Sequence, residues 1–129
     1  MDAAMAQQKD RPTETSNRGP LSAEPTGPQL HAAASTFALL SNSARLHVLW
    51  LAAQDSHDVT ALAERTGLGV ATMSQHLTKL RLAGLISARR EGRRHIYTVD
   101  DPHVLTLVQQ IFAHIAPDGG LAPDPPLNG

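Results

Sequence analysis

The chain has 129 residues, with 11 Lys and Arg set against 12 Asp and Glu, and it has no cysteine. That length fits one compact domain with tails, and the missing cysteine excludes disulfides, thiolate metal sites and thiol redox switching. No apolar run approaches membrane-spanning length and the N-terminus lacks the apolar core of a secretory signal, so a cytoplasmic protein without membrane contact is expected.

Residues 1–28 are rich in Ala, Gln, Pro, Ser, Thr and Gly, and read as a disordered tail that cannot bury enough apolar surface to offset ordering. Asp2, Asp10, Glu14 and Glu24 are the donors this tail would offer to a metal. Leu30 to Leu40 has helical spacing, with Leu30, Ala33, Ala34, Phe37 and Leu40 on one face. Ser41–Asn42–Ser43 reads as a turn, and Ser43 is the expected cap of a helix over Ala44 to Ala53 that buries Leu46, Leu49 and Trp50. His31 and His47 read as helix-surface or satisfied core histidines rather than ligands. Gln54 to Asp58 reads as a link. The few aromatics, Phe37, Trp50, Tyr97 and Phe112, leave an aliphatic core.

Residues 59–99 carry the strongest pattern. Asp58 is a natural N-cap for a short helix from Val59 to Arg65, and Gly67 suits its left-handed end. Gly69 takes the cap position before a second helix, from about Val70 to Ala83, whose buried stripe is Met73, Leu77 and Leu80. Its other face bears Thr72, Ser74, Gln75, His76 and Lys79, groups able to meet base edges and phosphates. A hairpin follows. One strand opens with Leu85–Ile86, the other runs Ile96 to Val99, and the turn is expected at Glu91–Gly92. Its tip holds Arg89, Arg90, Arg93 and Arg94. From Glu64 to His95 seven cations stand against the carboxylates of Glu64 and Glu91, a local excess of five in a chain of formal net charge −1. Helix, glycine turn, helix and basic hairpin, in that order, are the pattern of a winged helix-turn-helix that binds duplex DNA. The fold class is therefore mainly α with a β-hairpin wing, over residues 29–116, with 117–129 as a second disordered tail.

The last helix is expected from Pro102 to Ala116, with Asp101 as N-cap and Pro117 and Gly119–Gly120 ending it. Val104, Leu107, Val108, Ile111, Phe112 and Ile115 give it a broad apolar face that calls for a partner. His103 and His114 are eleven residues apart, on one face, but about 16 Å apart along the axis. Metal–nitrogen bonds of about 2 Å forbid their sharing one ion within one chain.

Ser74–Gln75–His76–Leu77, Leu80–Arg81, Ala83–Gly84–Leu85, Gly92–Arg93 and Tyr97 resemble the ArsR/SmtB family of metal-responsive repressors. So do Phe37 to Ser41 and Ala44 to Leu49. The likeness covers roughly residues 30–115 and is nearest in look to actinobacterial nickel/cobalt sensors of the family. It implies a homodimer joined through its terminal helices, which sits on operator DNA and leaves it when an inducer binds. In the family's thiophilic-metal sensors paired cysteines stand where this chain has Asp58 and Thr60, so that site is absent; His57–Asp58 offers only harder donors. In the family's C-terminal-helix sensors an Asp-x-His…His pattern meets across the dimer. Here it corresponds to Asp101, His103 and His114, a set of oxygen and imidazole donors suited to Ni(II), Co(II) or Zn(II).

The family's fourth donor falls on Pro117, which has none, leaving Asp100, Asp118, the N-terminal tail or water to complete the sphere. His95, at the base of the wing, is a possible accessory ligand or simply a strand residue near DNA. Two readings of the site therefore stand: a metal-released repressor, or a metal-independent one whose site has decayed. A winged-helix protein–protein module is the reading from another class, opposed by the arginine-rich wing. Nothing resembles an enzyme: there is no cysteine nucleophile, glycine-rich phosphate cradle or carboxylate–histidine cluster.

Overall fold

The structure is a computed structural model that describes residues 23–123. The described residues fall into two units, divided between Ala34 and Ser35. In the first, a helix α1 (Gly27–Leu40) begins, and it ends in the second. It starts three residues before the sequence expectation because Thr26 and Gln29 form a reciprocal capping box: Gln29 N donates to Thr26 Oγ1 at 3.1 Å and Thr26 N donates to Gln29 Oε1 at 2.9 Å.

The second unit holds α2 (Ser43–Gln54), β1 (His57–Asp58), α3 (Val59–Thr66), α4 (Val70–Leu82), β2 (Ser87–Glu91), β3 (Arg94–Thr98) and α5 (Pro102–His114). The cap of α2 is Asn42, not Ser43; its Oδ1 accepts from Arg45 N at 3.0 Å. The helix buries Val48, Leu49, Leu51 and Ala52, while Trp50 is 37% exposed, against expectation. The aliphatic positions claim the core face of the helix and leave the indole outside it, where Trp50 joins Ser43, Leu46, His47 and Phe112 around an apolar cavity.

The helix-turn-helix stands as read. Asp58 Oδ1 accepts from Ala61 N at 2.9 Å, and Gly67 ends α3 at φ 77° in the left-handed region that suits glycine. Met73, Leu77 and Leu80 of α4 are fully buried. After α4 the Gly84 N–H donates to Arg81 O and the Leu85 N–H to Leu80 O, each at 3.0 Å. This paired pattern closes the helix and seats Leu85 against Leu80 in the core.

The wing differs in two details. Leu85 and Ile86 are buried but precede the strand, and the turn is Gly92–Arg93, one residue later than expected, between the paired Glu91 and Arg94. A two-residue turn needs positive φ at its first position, and Gly92 supplies it at φ 63°. The sheet has three strands in the order β1-β3-β2, all antiparallel; β1 pairs His57 with Tyr97 and Asp58 with Ile96. Sequence periodicity cannot show a two-residue strand, and the last two residues of the segment read as a link, His57–Asp58, form one edge strand of the sheet.

Helix α5 starts at its Asp101 cap as expected but stops at His114 rather than Ala116. Ile115 turns extended and pairs with Leu121, and Ala116 N donates to Gly120 O at 2.7 Å. Residues 115–122, read as the helix end and the start of the tail, form this turn. Val104 and Val108 bury the first half of α5, whereas Ile111 and Phe112 lie exposed on its second half and Ile115 just beyond its end. No helix among the described residues is long and apolar enough to cross a membrane.

Candidate nucleic-acid interface

The buried stripe of α4 dictates what its other side shows. With Met73, Leu77 and Leu80 inward, Thr72, Ser74, Gln75 and Lys79 are exposed. Ser74, Gln75, Thr78 and Lys79 line a shallow open depression along the helix. Thr78, which the sequence reading passed over, lends its hydroxyl to its own helix, donating to Ser74 O at 2.9 Å. Gly69 caps α4 without a side-chain hydrogen bond, so the first-turn N–H groups keep their capacity for an outside acceptor.

His76 stands apart from this exposed row. It is half-buried, and its Nδ1 lies 3.2 Å from Nη1 of Arg45 on α2. Burial first, then the charges of Arg45 and Lys79, hold its pKa below the usual histidine value. These surroundings favour the neutral imidazole. Arg45 was not legible as a partner, because nothing in the local sequence links two residues 31 positions apart.

The wing arginines are all exposed but not equivalent. Arg89 is engaged with Glu91, its Nη2 2.8 Å and its Nε 3.0 Å from Oε2. Arg94 Nε reaches Asp58 Oδ2 at 3.3 Å. Arg90 Nε donates to Gly92 O at 3.3 Å. Arg93, in the turn itself, has no carboxylate partner among the described residues. The uncompensated charge of the wing is thus concentrated on Arg90 and Arg93. His95 is exposed opposite Arg90 on the neighbouring strand.

The candidate metal donors fall into two groups. Asp101 and His103 meet at the start of α5: Oδ1 accepts from His103 N at 2.8 Å and lies 3.0 Å from His103 Nδ1. The backbone bond, and next the ring, hold the Asp101 carboxyl below the usual range. His114 is the last residue of the same helix, at its far end, and Asp100 precedes the cap. Asp118 accepts from Gly120 N at 2.9 Å within the turn that follows. Among the described residues no group of three metal-ligating side chains forms within one chain. Glu24 and His31 are exposed outside this grouping, and Asp2, Asp10 and Glu14 lie outside the described residues.

Residues 42–88 match the model of the bacterial regulatory protein, arsR family. The HTH-type transcriptional regulator KmtR of Mycobacterium tuberculosis is 40% identical over 72 residues, 56% of this chain and 55% of that protein. This chain thus spans about half the length of that relative. A cadmium resistance transcriptional regulatory protein CadC homologue of Staphylococcus aureus is 32% identical over 85 residues, covering 63% of this chain and 68% of that one. Among solved structures, the homodimeric winged helix-turn-helix DNA-binding domain of a possible ArsR-family regulator from Mycobacterium bovis superposes with a TM-score of 0.62 at 33% identity, over 70% of this chain and 86% of that domain.

Proposed function

The chain belongs to the arsR family of bacterial regulatory proteins, and on that premise we propose that it is a transcriptional repressor that binds operator DNA as a homodimer and leaves it when a divalent metal binds. The observation that carries the DNA reading is the exposed polar row Thr72, Ser74, Gln75 and Lys79 on a helix whose opposite stripe is wholly buried, followed along the chain by a wing with free cations at Arg90 and Arg93. In this reading α4 enters the major groove, and the wing arginines contact phosphates or the minor groove. Ile111, Phe112 and Ile115 are the apolar surface through which two copies join. The solved relative described as homodimeric supports the dimer.

For the effector we propose Ni(II), Co(II) or Zn(II) held by Asp101 and His103 of one copy with His114 of the other. The donor chemistry fits such an ion: one carboxylate and two imidazoles, all exposed, with His103 oriented by Asp101. A bound ion would tie the two α5 helices together, and by linkage metal and DNA would weaken each other equally. A relative named for cadmium resistance supports a metal effector in general, not this ion. A second reading, a regulator that needs no metal, is favoured by three observations: Asp101 is already committed as a helix cap, Asp118 to its turn, and position 117 is proline.

Titrating the metal-free protein with each ion while following DNA affinity separates the two. Tight Co(II) binding with a matching loss of DNA affinity, both abolished by His103→Ala, is the expected result. DNA affinity indifferent to all three ions rejects the metal reading and leaves the regulator.

A further inference from the structure

Arg45 is the only Lys, Arg, Asp or Glu of α2; it is half-buried and reaches both α1 and α4. Its Nε donates to Leu39 O at 2.8 Å, one of the carbonyls left open by the end of α1. Its Nη1 lies 3.2 Å from His76 Nδ1 on α4. A guanidinium has five N–H donors and nothing to accept with. In this contact Nδ1 must therefore be the acceptor, which makes His76 the neutral tautomer protonated at Nε2. Among the described residues Nε2 has no partner.

We propose that Arg45 is a positioning residue for base recognition: it locks the His76 ring so that Nε2–H projects as one directed donor for the N7 or O6 acceptor of a purine in the major groove. The inference rests on the reading of α4 as the DNA-reading helix. A neutral donor fixed in direction tells a purine acceptor from the amino group of cytosine or adenine. A freely turning, protonated imidazole would instead be drawn to any phosphate, which carries no sequence. The charged groups that face the ring, Arg45 from α2 and Lys79 from its own helix, both oppose its protonation, as does its burial. Arg45 also carries this constraint from the α1–α2 junction through the Leu39 carbonyl, so the ring's orientation is set by the scaffold rather than by α4 alone.

The test has two arms on the full chain. In the first, wild type, Arg45→Ala, His76→Ala and the double variant each select from a random-sequence duplex pool. Wild type is expected to favour a purine at one position of each half-site, with discrimination of about tenfold. Either single variant should lose that preference while keeping the rest of the motif, and the double variant should lose no more. In the second arm, 15N NMR of the free protein follows His76. Wild type should show an unprotonated Nδ1 and titrate below the ordinary range, and Arg45→Ala should raise its titration toward that range, with burial and Lys79 still holding it down.

Arg45→Lys keeps the charge but cannot span Leu39 and His76 together; it serves if the alanine variant does not fold. Arg45→Ala selecting the same base as strongly as wild type, additive losses in the double variant, or a His76 that titrates alike in both proteins would each overturn the proposal. Wild type that selects no sequence overturns the DNA reading itself and takes this inference with it, a result recognisable because Arg45 is intact.

Discussion

Asp58 serves two elements at once: Oδ1 caps α3 through Ala61 N at 2.9 Å, and Oδ2 meets Arg94 Nε of the wing at 3.3 Å. One carboxylate thus ties the first helix of the helix-turn-helix to the strand that carries the wing. The two bonds should separate on substitution. Asp58→Asn keeps an oxygen for the cap and loses only an ion pair whose arginine is 62% exposed, a contact worth at most about 1 kcal/mol. Asp58→Ala loses the cap as well, for a further cost of about 1 kcal/mol. Urea denaturation of the two variants should show alanine clearly the worse; equal losses would mean that the cap contributes nothing.

The wing arginines should differ in how they bind DNA. Arg93 has no carboxylate partner among the described residues, whereas Arg89 is held by Glu91 at 2.8 Å. Arg93→Ala should reduce the slope of log affinity against log salt by about 1 for each copy in contact, and Arg89→Ala by less. Fluorescence anisotropy on one duplex at several salt concentrations makes the comparison. A larger change for Arg89 would contradict the charge assignment.

Much of this was legible in the sequence, and the reasons are local. Asp58, Gly67, Gly69 and Asp101 act through neighbours a few residues away, so capping rules find them. The stripe Met73, Leu77, Leu80 follows from helical spacing alone. What escaped depends on distant partners. The strand at His57–Asp58 exists only because Tyr97 and Ile96 lie beside it. The exposure of Trp50 follows from which face of α2 the aliphatic core claims. The pairing of Arg94 needed Asp58 placed in space, and Arg45–His76 needed the packing of α2 beside α4. Nor does spacing say whether Asp101, His103 and His114 ever converge, because that depends on a second copy of the chain.

Stability should fall on acidification in a way that involves His76. Its pKa is lowered in the folded chain, so as pH drops below about 6.5 the unfolded state takes up the proton first. Folding stability therefore declines from there down to the folded pKa and then levels off. Comparing urea midpoints at pH 7.5 and pH 5.0, wild type should lose more than His76→Gln. An identical loss in both would show that His76 is not perturbed.

The second half of α5 should govern association. Phe112 is 41% exposed, so Phe112→Glu should leave the fold intact yet place charge in the proposed dimer surface. Sedimentation should show wild type as a dimer and the variant as a monomer, with DNA affinity falling at least about tenfold as two linked half-site contacts become one. A variant that remains dimeric would move the interface elsewhere.

The most direct measurement is the affinity of the wild-type chain for a duplex of about three helical turns as salt is raised. Lys79, Arg90 and Arg93 from two copies provide about six phosphate contacts, for a log–log slope of about −5. A steep negative slope near that value is the predicted result. Affinity that is absent, or that does not change with salt, would contradict the reading of α4 and the wing as a surface for DNA.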